Sequence, residues 1–192
     1  MMKFVLLTIS IFVFYSNLLV FKSSQIELIL QNDTSNNEYS LTISEVNNVN
    51  SSYPSLASNS VPIKTYLSRY YSNIGDYSTS NILLLQSLKI NANSLYSRYL
   101  ISRNLIYTNQ YDKSLGHLRE LFHLSPKNNI SSVLFFTLLS ETNNHNELKE
   151  IFPIVSNIDD NIIWKYYVDS FNNSQIEITD PDFFYQLKNK KK

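Results

Sequence analysis

The chain has 192 residues, and its 16 basic and 16 acidic side chains cancel, so its net charge gives no reason to expect a nucleic-acid partner. The absence of cysteine excludes disulfides, thiolate zinc sites and a cysteine nucleophile. With only two glycines, the chain has no glycine-rich phosphate loop. Its 43% of hydrophobic residues suffice for one modest folded domain with accessory segments.

The first predicted element is an apolar helix. Phe4–Phe21 is a run of 18 uncharged residues between Lys3 and Lys22, close to the minimum length that crosses a bilayer core. No small-x-small cleavage site follows, which favours an uncleaved anchor over a signal peptide for residues 1–24. We expect a single-pass membrane protein with the remaining chain outside the cytoplasm (periplasmic), and a secreted protein is the alternative.

Residues 25–60 are rich in Asn and Ser and are predicted to form a linker. The alternation in "EYSLTISEV", preceded by the turn-like "NDTSNN", is compatible with a short hairpin. A tether that holds the folded part away from the membrane explains the same composition equally well.

A repeat of 34 residues follows the linker. Residues 66–94 align without a gap with residues 100–128. The alignment pairs Arg69 with Arg103, Tyr77 with Tyr111, Ser80 with Ser114, and Leu84 with Leu118. Gly75 lies where the first helix should stop, and Asn109 takes the corresponding place in the second unit. Both residue types tolerate the positive φ that ends a helix.

This pattern resembles the tetratricopeptide repeat, in which each unit is a pair of helices joined by a short turn. The features that match are a large apolar residue followed by a small one in the first helix, a tyrosine at the turn, a small residue early in the second helix and a proline at the exit. They are Leu67-Ser68 and Ile101-Ser102, Tyr77 and Tyr111, Ser80 and Ser114, and Pro126. The resemblance implies an all-α solenoid of about three repeats plus a capping helix, in residues 61–172.

A third unit is predicted next, and it departs from the pattern. Its helices are expected at Val133–Glu141 and Glu147–Val155. Phe136 and Leu148 replace the small residues, and Pro153 should end or kink the second helix.

A capping helix and a tail complete the predicted elements. "DDNIIWKYYVDSF" is amphipathic, with Asp160 as N-cap and Ile163, Tyr167 and Phe171 on one face. Such a helix would cover the exposed end of the solenoid. Residues 173–192 are predicted to hold a short helix capped by Asp180 and a basic end that is solvated.

No arrangement of residues indicates catalysis. His117 and His123 point to different faces of one helix, which is poor geometry for a shared metal. His145 is assigned a structural or surface role, and Trp164 is interpreted as a packing aromatic. No nucleophile elbow is present. We therefore predict no catalytic, cofactor-binding or metal-binding residue, and a protein that is not an enzyme.

In the tetratricopeptide family, residues of the first helix of each unit line a concave groove that binds peptides or partner helices. Carried over by position, the resemblance implies a partner-binding set of Tyr66, Arg69 and Asn73 from the first unit, Tyr99, Arg103 and Tyr107 from the second, and Thr137 and Glu141 from the third. The two arginines would lie one repeat apart on the same face and suit a carboxylate, a phosphate or an acidic sugar. The alternative is that both pair with local carboxylates or with water.

A wider resemblance covers about residues 50 to 172. The order of "YPSLASNSVPIKTYLSRYY", two repeats, "LSPKNN" and "IIWKYYVDSF" is similar to the region after the last membrane span in O-antigen ligase/polymerase-like proteins of Bacteroidetes-type bacteria. This sequence lacks the multi-span half that carries glycan transfer there, so an enzymatic assignment does not transfer with the resemblance.

The expected function is a membrane-anchored tetratricopeptide protein that binds a protein partner through its groove without catalysis. The alternative is a detached or accessory C-terminal part of an O-antigen ligase/polymerase system, acting with glycan-assembly machinery in surface-polysaccharide assembly.

Overall fold

The computed structural model describes residues 2–52 and 55–173, with side chains from residue 4 onward. The helices in chain order are α1 (Met2–Asn36), α2 (Ile43–Asn48), α3 (Ile63–Asn73), α4 (Tyr77–Ile90), α5 (Leu95–Tyr107), α6 (Tyr111–Leu124), α7 (Asn129–Glu141), α8 (His145–Glu150), α9 (Phe152–Ser156) and α10 (Asn161–Asn173). Within the described residues there is no strand, and one isolated antiparallel bridge joins Leu56 and Pro62. The prediction of an all-α fold behind an apolar N-terminal helix is confirmed. The short helix and basic end predicted for the tail lie outside the described residues.

The chain divides into two compact units, Met1–Ser97 and Arg98–Lys192, and the boundary falls inside α5. In the first unit, α3 packs against α1, α2 and α4. In the second, α7 packs against α6, α8 and α10. Each unit therefore has one central helix around which the others are arranged.

The first helix has two parts with different surroundings. From Phe4 to Phe21 its large apolar side chains are exposed; Phe14, for example, is 72% exposed. Among the described helices it alone is long and apolar enough to cross a membrane, with a mean hydropathy of 2.3. Beyond Ile26 the same helix packs into the first unit, where Leu30 is fully buried. The helix is continuous between the two parts.

Residues 25–60, predicted to be a linker, are largely folded. The end of α1 and the helix α2 occupy much of this range, and the hairpin considered for "EYSLTISEV" is replaced by α2. A capping box starts α2: the Thr42 hydroxyl accepts from the Glu45 amide at 3.3 Å, and the Glu45 carboxylate accepts from the Thr42 amide at 2.8 Å. Val46 then joins Leu30 in the core of the first unit.

The end of α3 explains the position of Gly75. Its φ is +80°, in the left-handed region. The Gly75 amide donates to the Ser72 carbonyl at 3.1 Å, and the Asp76 amide donates to the Tyr71 carbonyl at 2.9 Å. This is the Schellman arrangement, which satisfies carbonyls that the helix end would otherwise leave without donors.

The same cap ends α5 and α7. Asn109 has φ 56° and Asn143 has φ 55°. The amides that follow them donate to carbonyls five residues earlier, Gln110 to Leu105 and Asn144 to Leu139, each at 2.8 Å. The left-handed residues at 75, 109 and 143 are therefore 34 residues apart, and so are the starts of α4, α6 and α8. The sequence had indicated the first two caps, and the structure adds the third.

Serines lie where paired helices approach each other. In the α3–α4 pair, the hydroxyls of Ser72 and Ser80 are 2.8 Å apart. The Ser68 hydroxyl donates to the Thr65 carbonyl within α3 at 2.7 Å. Small side chains at such contacts permit close approach of the helices.

The third helix pair is broken as the sequence predicted. α7 ends at Glu141, and the second helix is divided at Ile151 into α8 and α9, because Pro153 in the first turn of α9 cannot donate to a preceding carbonyl. Phe136 and Leu148, the large residues in place of small ones, are fully buried. Their larger side chains fill space that small residues would leave empty.

The amphipathic helix predicted after the third unit forms as α10. The Asp160 carboxylate accepts from the amide of Ile163 at 3.0 Å, which confirms the N-cap. Ile163, Tyr167 and Phe171 are all buried. The Tyr167 ring meets Phe136 of α7 edge-to-face with 5.4 Å between centroids, so α10 covers α7.

The two glycines provide a matched pair of substitutions. At neither position would an added Cβ come within 4 Å of an atom beyond the adjacent residues and the local helix backbone, so any effect is conformational. Gly75→Ala forces a side chain into the left-handed region and should destabilise the fold by about 1–2 kcal/mol. Gly116→Ala, inside α6, should instead stabilise it by about 0.5–1 kcal/mol. Urea unfolding followed by circular dichroism measures both; a Gly75→Ala protein as stable as the parent would contradict the role of this cap.

Candidate partner-binding surface

Arg69 is the arginine that the first repeat contributes to the predicted groove. It lies on α3 and is covered by the C-terminal end of α1. It is only 8% exposed. Its guanidinium donates to the Thr34 carbonyl at 2.9 Å and to the Asn37 side-chain oxygen at 3.0 Å, and it lies over the Tyr39 ring with 5.7 Å to the centroid. The first of these contacts satisfies a carbonyl in the last turn of α1, where a cation is favourable. Arg69 therefore joins α1 to α3.

A buried carboxylate next to Arg69 completes this joint. Asp33, on α1, accepts from the Ser40 amide and hydroxyl, both at 2.8 Å, and from the Tyr70 hydroxyl. Burial and the hydrogen bond to Asp33 raise the pKa of Tyr70 well above its usual range, so this phenol remains a donor under all ordinary conditions. Asp33 was not predicted as part of a joint, because the composition of "NDTSNN" is typical of a turn.

The other first-unit residues of the predicted set occupy different surroundings. Tyr66 is 3% exposed, and its hydroxyl accepts from the Asn59 side chain at 2.7 Å. Asn73, in the last turn of α3, is exposed. Of Tyr66, Arg69 and Asn73, only Asn73 lies on an accessible surface, because the end of α1 and the loop before α3 cover the other two.

Arg103 of α5 has a different environment. Tyr99, Arg103 and Tyr107 follow one another at intervals of four residues and so share one face of the helix. The guanidinium carbon lies 5.8 Å from the Tyr99 ring centroid and 5.7 Å from that of Tyr107. Arg103 is half-buried, whereas Tyr107 is 58% exposed. We call these three residues the Arg103 cluster.

The two phenol groups determine the electrostatics of this cluster. Burial alone would lower the pKa of Arg103, but the adjacent Tyr99 and Tyr107 outweigh it and the pKa is raised. The guanidinium is therefore a permanent cation that is partly removed from water and held between two aromatic rings. Cation–π contacts of this kind stabilise a charge without neutralising it.

Other arginines of the same unit already have carboxylate partners. Arg119 forms a two-point ion pair with Glu147, with distances of 2.5 and 2.8 Å, and Arg98 pairs with Glu120. Within residues 98–173, no carboxylate pairs with Arg103. A planar donor of this type binds a carboxylate or phosphate with two parallel hydrogen bonds. The cluster is thus suited to an acidic group on a partner.

Nothing in residues 2–52 and 55–173 forms a metal centre: no group of three or more His, Asp or Glu side chains is placed to hold an ion. His117 is half-buried, with Nδ1 buried and lacking a hydrogen-bond partner. Trp164 stacks on Tyr167 with 6.0 Å between ring centroids, as expected for a packing aromatic. Comparisons with models of known families, with curated proteins and with solved structures found no match.

His117 should make the stability of the fold depend on pH. Burial lowers its pKa, and the positive Arg98 adds to this, while Glu120 opposes it. Because the unfolded chain then binds the proton more readily than the folded one, stability is complete above the unfolded pKa of about 6.5 and is lost as pH falls through the lower folded pKa. Urea unfolding at a series of pH values from neutral to about 5 should show this loss.

His117→Gln is the matched variant, because it keeps a polar side chain but has no proton to bind in this range. It should reduce the pH dependence of the unfolding free energy. An identical slope for the parent and His117→Gln would contradict the assignment.

Proposed function

We propose that this protein is a membrane-anchored helical-repeat protein of the tetratricopeptide type, which binds an acidic segment of a protein partner through the Arg103 cluster and carries out no catalysis. The observation that carries the proposal is the half-buried guanidinium held between two tyrosines without a carboxylate within residues 98–173. The proposed binding surface is thereby reduced from the eight residues of the predicted groove to a surface centred on α5.

Two features support the repeat interpretation. Left-handed caps at 34-residue intervals end three helices, and a second helix begins four residues after the last helical residue in each case. A period of this length with two helices per unit is typical of tetratricopeptide proteins, which bind extended peptides. The partner segment that fits the cluster carries at least one carboxylate for Arg103 and an apolar or aromatic side chain to lie against Tyr107.

Photocrosslinking at Tyr107 tests the binding function. A photoreactive phenylalanine analogue at this exposed position should form an adduct with the partner in native membranes. Arg103→Ala should remove most of the adduct, because a lost charge-assisted pair costs about 1.5–3 kcal/mol, or roughly tenfold or more in affinity. Arg103→Lys should retain only part of it, since an ammonium cannot form the two parallel bonds.

Arg119→Ala is the control, because that arginine is already paired with Glu147 and should not affect capture. Urea midpoints of all three variants exclude loss of folding as the cause. If the folded Arg103→Ala protein forms as much adduct as the parent, the proposed binding surface is wrong.

The exposed apolar part of α1 supports membrane anchoring. At about 1.5 Å per residue, its 18 uncharged residues extend about 27 Å, close to the thickness of the bilayer core. The side chains at Phe4, Phe12 and Phe14 are each at least 70% exposed, which is unfavourable in water and favourable in lipid. We propose that the folded part lies on the extracytoplasmic side of this membrane.

Charged substitutions in this segment test the anchoring. Ile9→Arg with Val13→Arg should move the protein from the membrane fraction to the soluble fraction, because each arginine near the centre of a spanning helix costs about 2.5–3.5 kcal/mol. Alkaline carbonate extraction followed by immunoblotting measures the distribution, and Ile9→Ala with Val13→Ala is the control. Intact mass of the parent protein reports whether the segment is retained; a mature chain shorter by about twenty residues would contradict an uncleaved anchor.

A further inference from the structure

The loop before α3 is tied to α1 immediately after the apolar segment. The Glu27 carboxylate accepts from the Ser58 amide at 2.6 Å, and the Gln31 side chain donates to the Ser58 hydroxyl at 3.3 Å. The loop is itself closed by hydrogen bonds: the Ala57 amide donates to the Val61 carbonyl at 2.8 Å, and Asn91 at the end of α4 donates to the Ser60 carbonyl at 3.0 Å. We call residues 55–62 the strut loop.

The directions of the helices place the strut loop at one end of the first unit. Tyr66 is near Glu27, whereas Arg69 reaches Thr34, so α3 runs parallel to the end of α1. The start of α3 and the end of α4 therefore lie on the side of the apolar segment. Exposed apolar side chains are found at this end, at Leu56 and Ile90, each 38% exposed.

Simple helix geometry gives the height of this end. Six residues separate Phe21 from Glu27, which is about 9 Å along an unbroken helix. The headgroup layer on each side of a bilayer is about 5–8 Å thick. A helix that carries Phe4–Phe21 in the bilayer core thus brings Glu27, and the loop bonded to it, to the outer edge of the lipid headgroups.

We propose that the strut loop rests on the lipid headgroups of the membrane that α1 crosses, and that α1 acts as a rigid strut which seats the first unit there. This inference rests on the proposed anchoring. Its partner is the lipid surface itself, contacted by Leu56 and Ile90. Lys89, exposed in the last turn of α4, is placed beside them and suits the phosphates of that layer.

The chain has no cysteine, so single-cysteine variants of the full protein can be labelled at one site. Leu56→Cys reports on the strut loop. Asn73→Cys is the matched control: it is exposed at the other end of α3, ten residues or about 15 Å farther from the membrane. Phe12→Cys reports on the apolar segment.

Each variant is labelled with an environment-sensitive fluorophore and reconstituted in phosphatidylcholine vesicles that contain either headgroup-labelled or acyl-chain-labelled nitroxide lipid. We expect headgroup nitroxide to quench the label at residue 56 several-fold more strongly than the label at residue 73. Acyl-chain nitroxide should quench the label at residue 12. If quenching is equally weak at residues 56 and 73 but strong at residue 12, the proposed contact of the strut loop with lipid is overturned and the proposed anchoring stands. If the label at residue 12 is not quenched, both proposals are overturned.

A flexible insertion tests whether the rigid connection to α1 positions the strut loop or whether the loop binds lipid without it. About eight Gly and Ser residues inserted between Ser23 and Ser24 convert the rigid connection into a coil. The stronger quenching at residue 56 should then fall to the level seen at residue 73. If the difference in quenching between residues 56 and 73 persists after the insertion, the continuity of α1 does not position the loop. That result would overturn the proposal.

Discussion

The last carbonyl groups of α3, α5 and α7 accept hydrogen bonds from the amides just beyond each helix, and this requires one residue with positive φ. A helix end of this type turns the chain back within four residues, so the next helix begins at a fixed distance along the sequence. These turns recur every 34 residues. Glycine fills the position once and asparagine twice, because these residues accept the left-handed conformation at the least cost.

Other features of the two units follow from where the chain turns. Short turns keep paired helices antiparallel, and serines at their contacts permit close approach in the α3–α4 pair. In the α7–α8 pair, Phe136 and Leu148 stand two repeats after Ser68 and Ser80. Their added volume is accommodated by α10, whose Tyr167 packs on Phe136 and donates to the Leu148 carbonyl at 2.6 Å. Loss of small residues in the third pair is thus coupled to the presence of the covering helix.

Local patterns predicted the helices best where one rule dominated. Pro153, Asp160 and Gly75 each act on the backbone of their own segment, so the sequence alone located the break, the start and the stop. The region from 25 to 60 was predicted less well, because its fold depends on distant contacts. Leu30 and Asp33 are helical since α3 offers them a core and hydrogen bonds, and no local composition shows this. For the same reason Arg69 could not be distinguished from Arg103 by position in the repeat.

If α1 crosses a membrane as proposed, its continuity has a consequence in bilayers of different thickness. Its apolar segment, about 27 Å long, is slightly shorter than an average hydrocarbon core of about 30 Å. A thicker bilayer would draw the polar end of this segment inward, and a thinner one would tilt it. Because Leu30, Asp33 and Arg69 join the same helix to the first unit without a hinge, that unit would be lowered or tilted with it. Membrane thickness would then set the orientation in which the folded unit is presented.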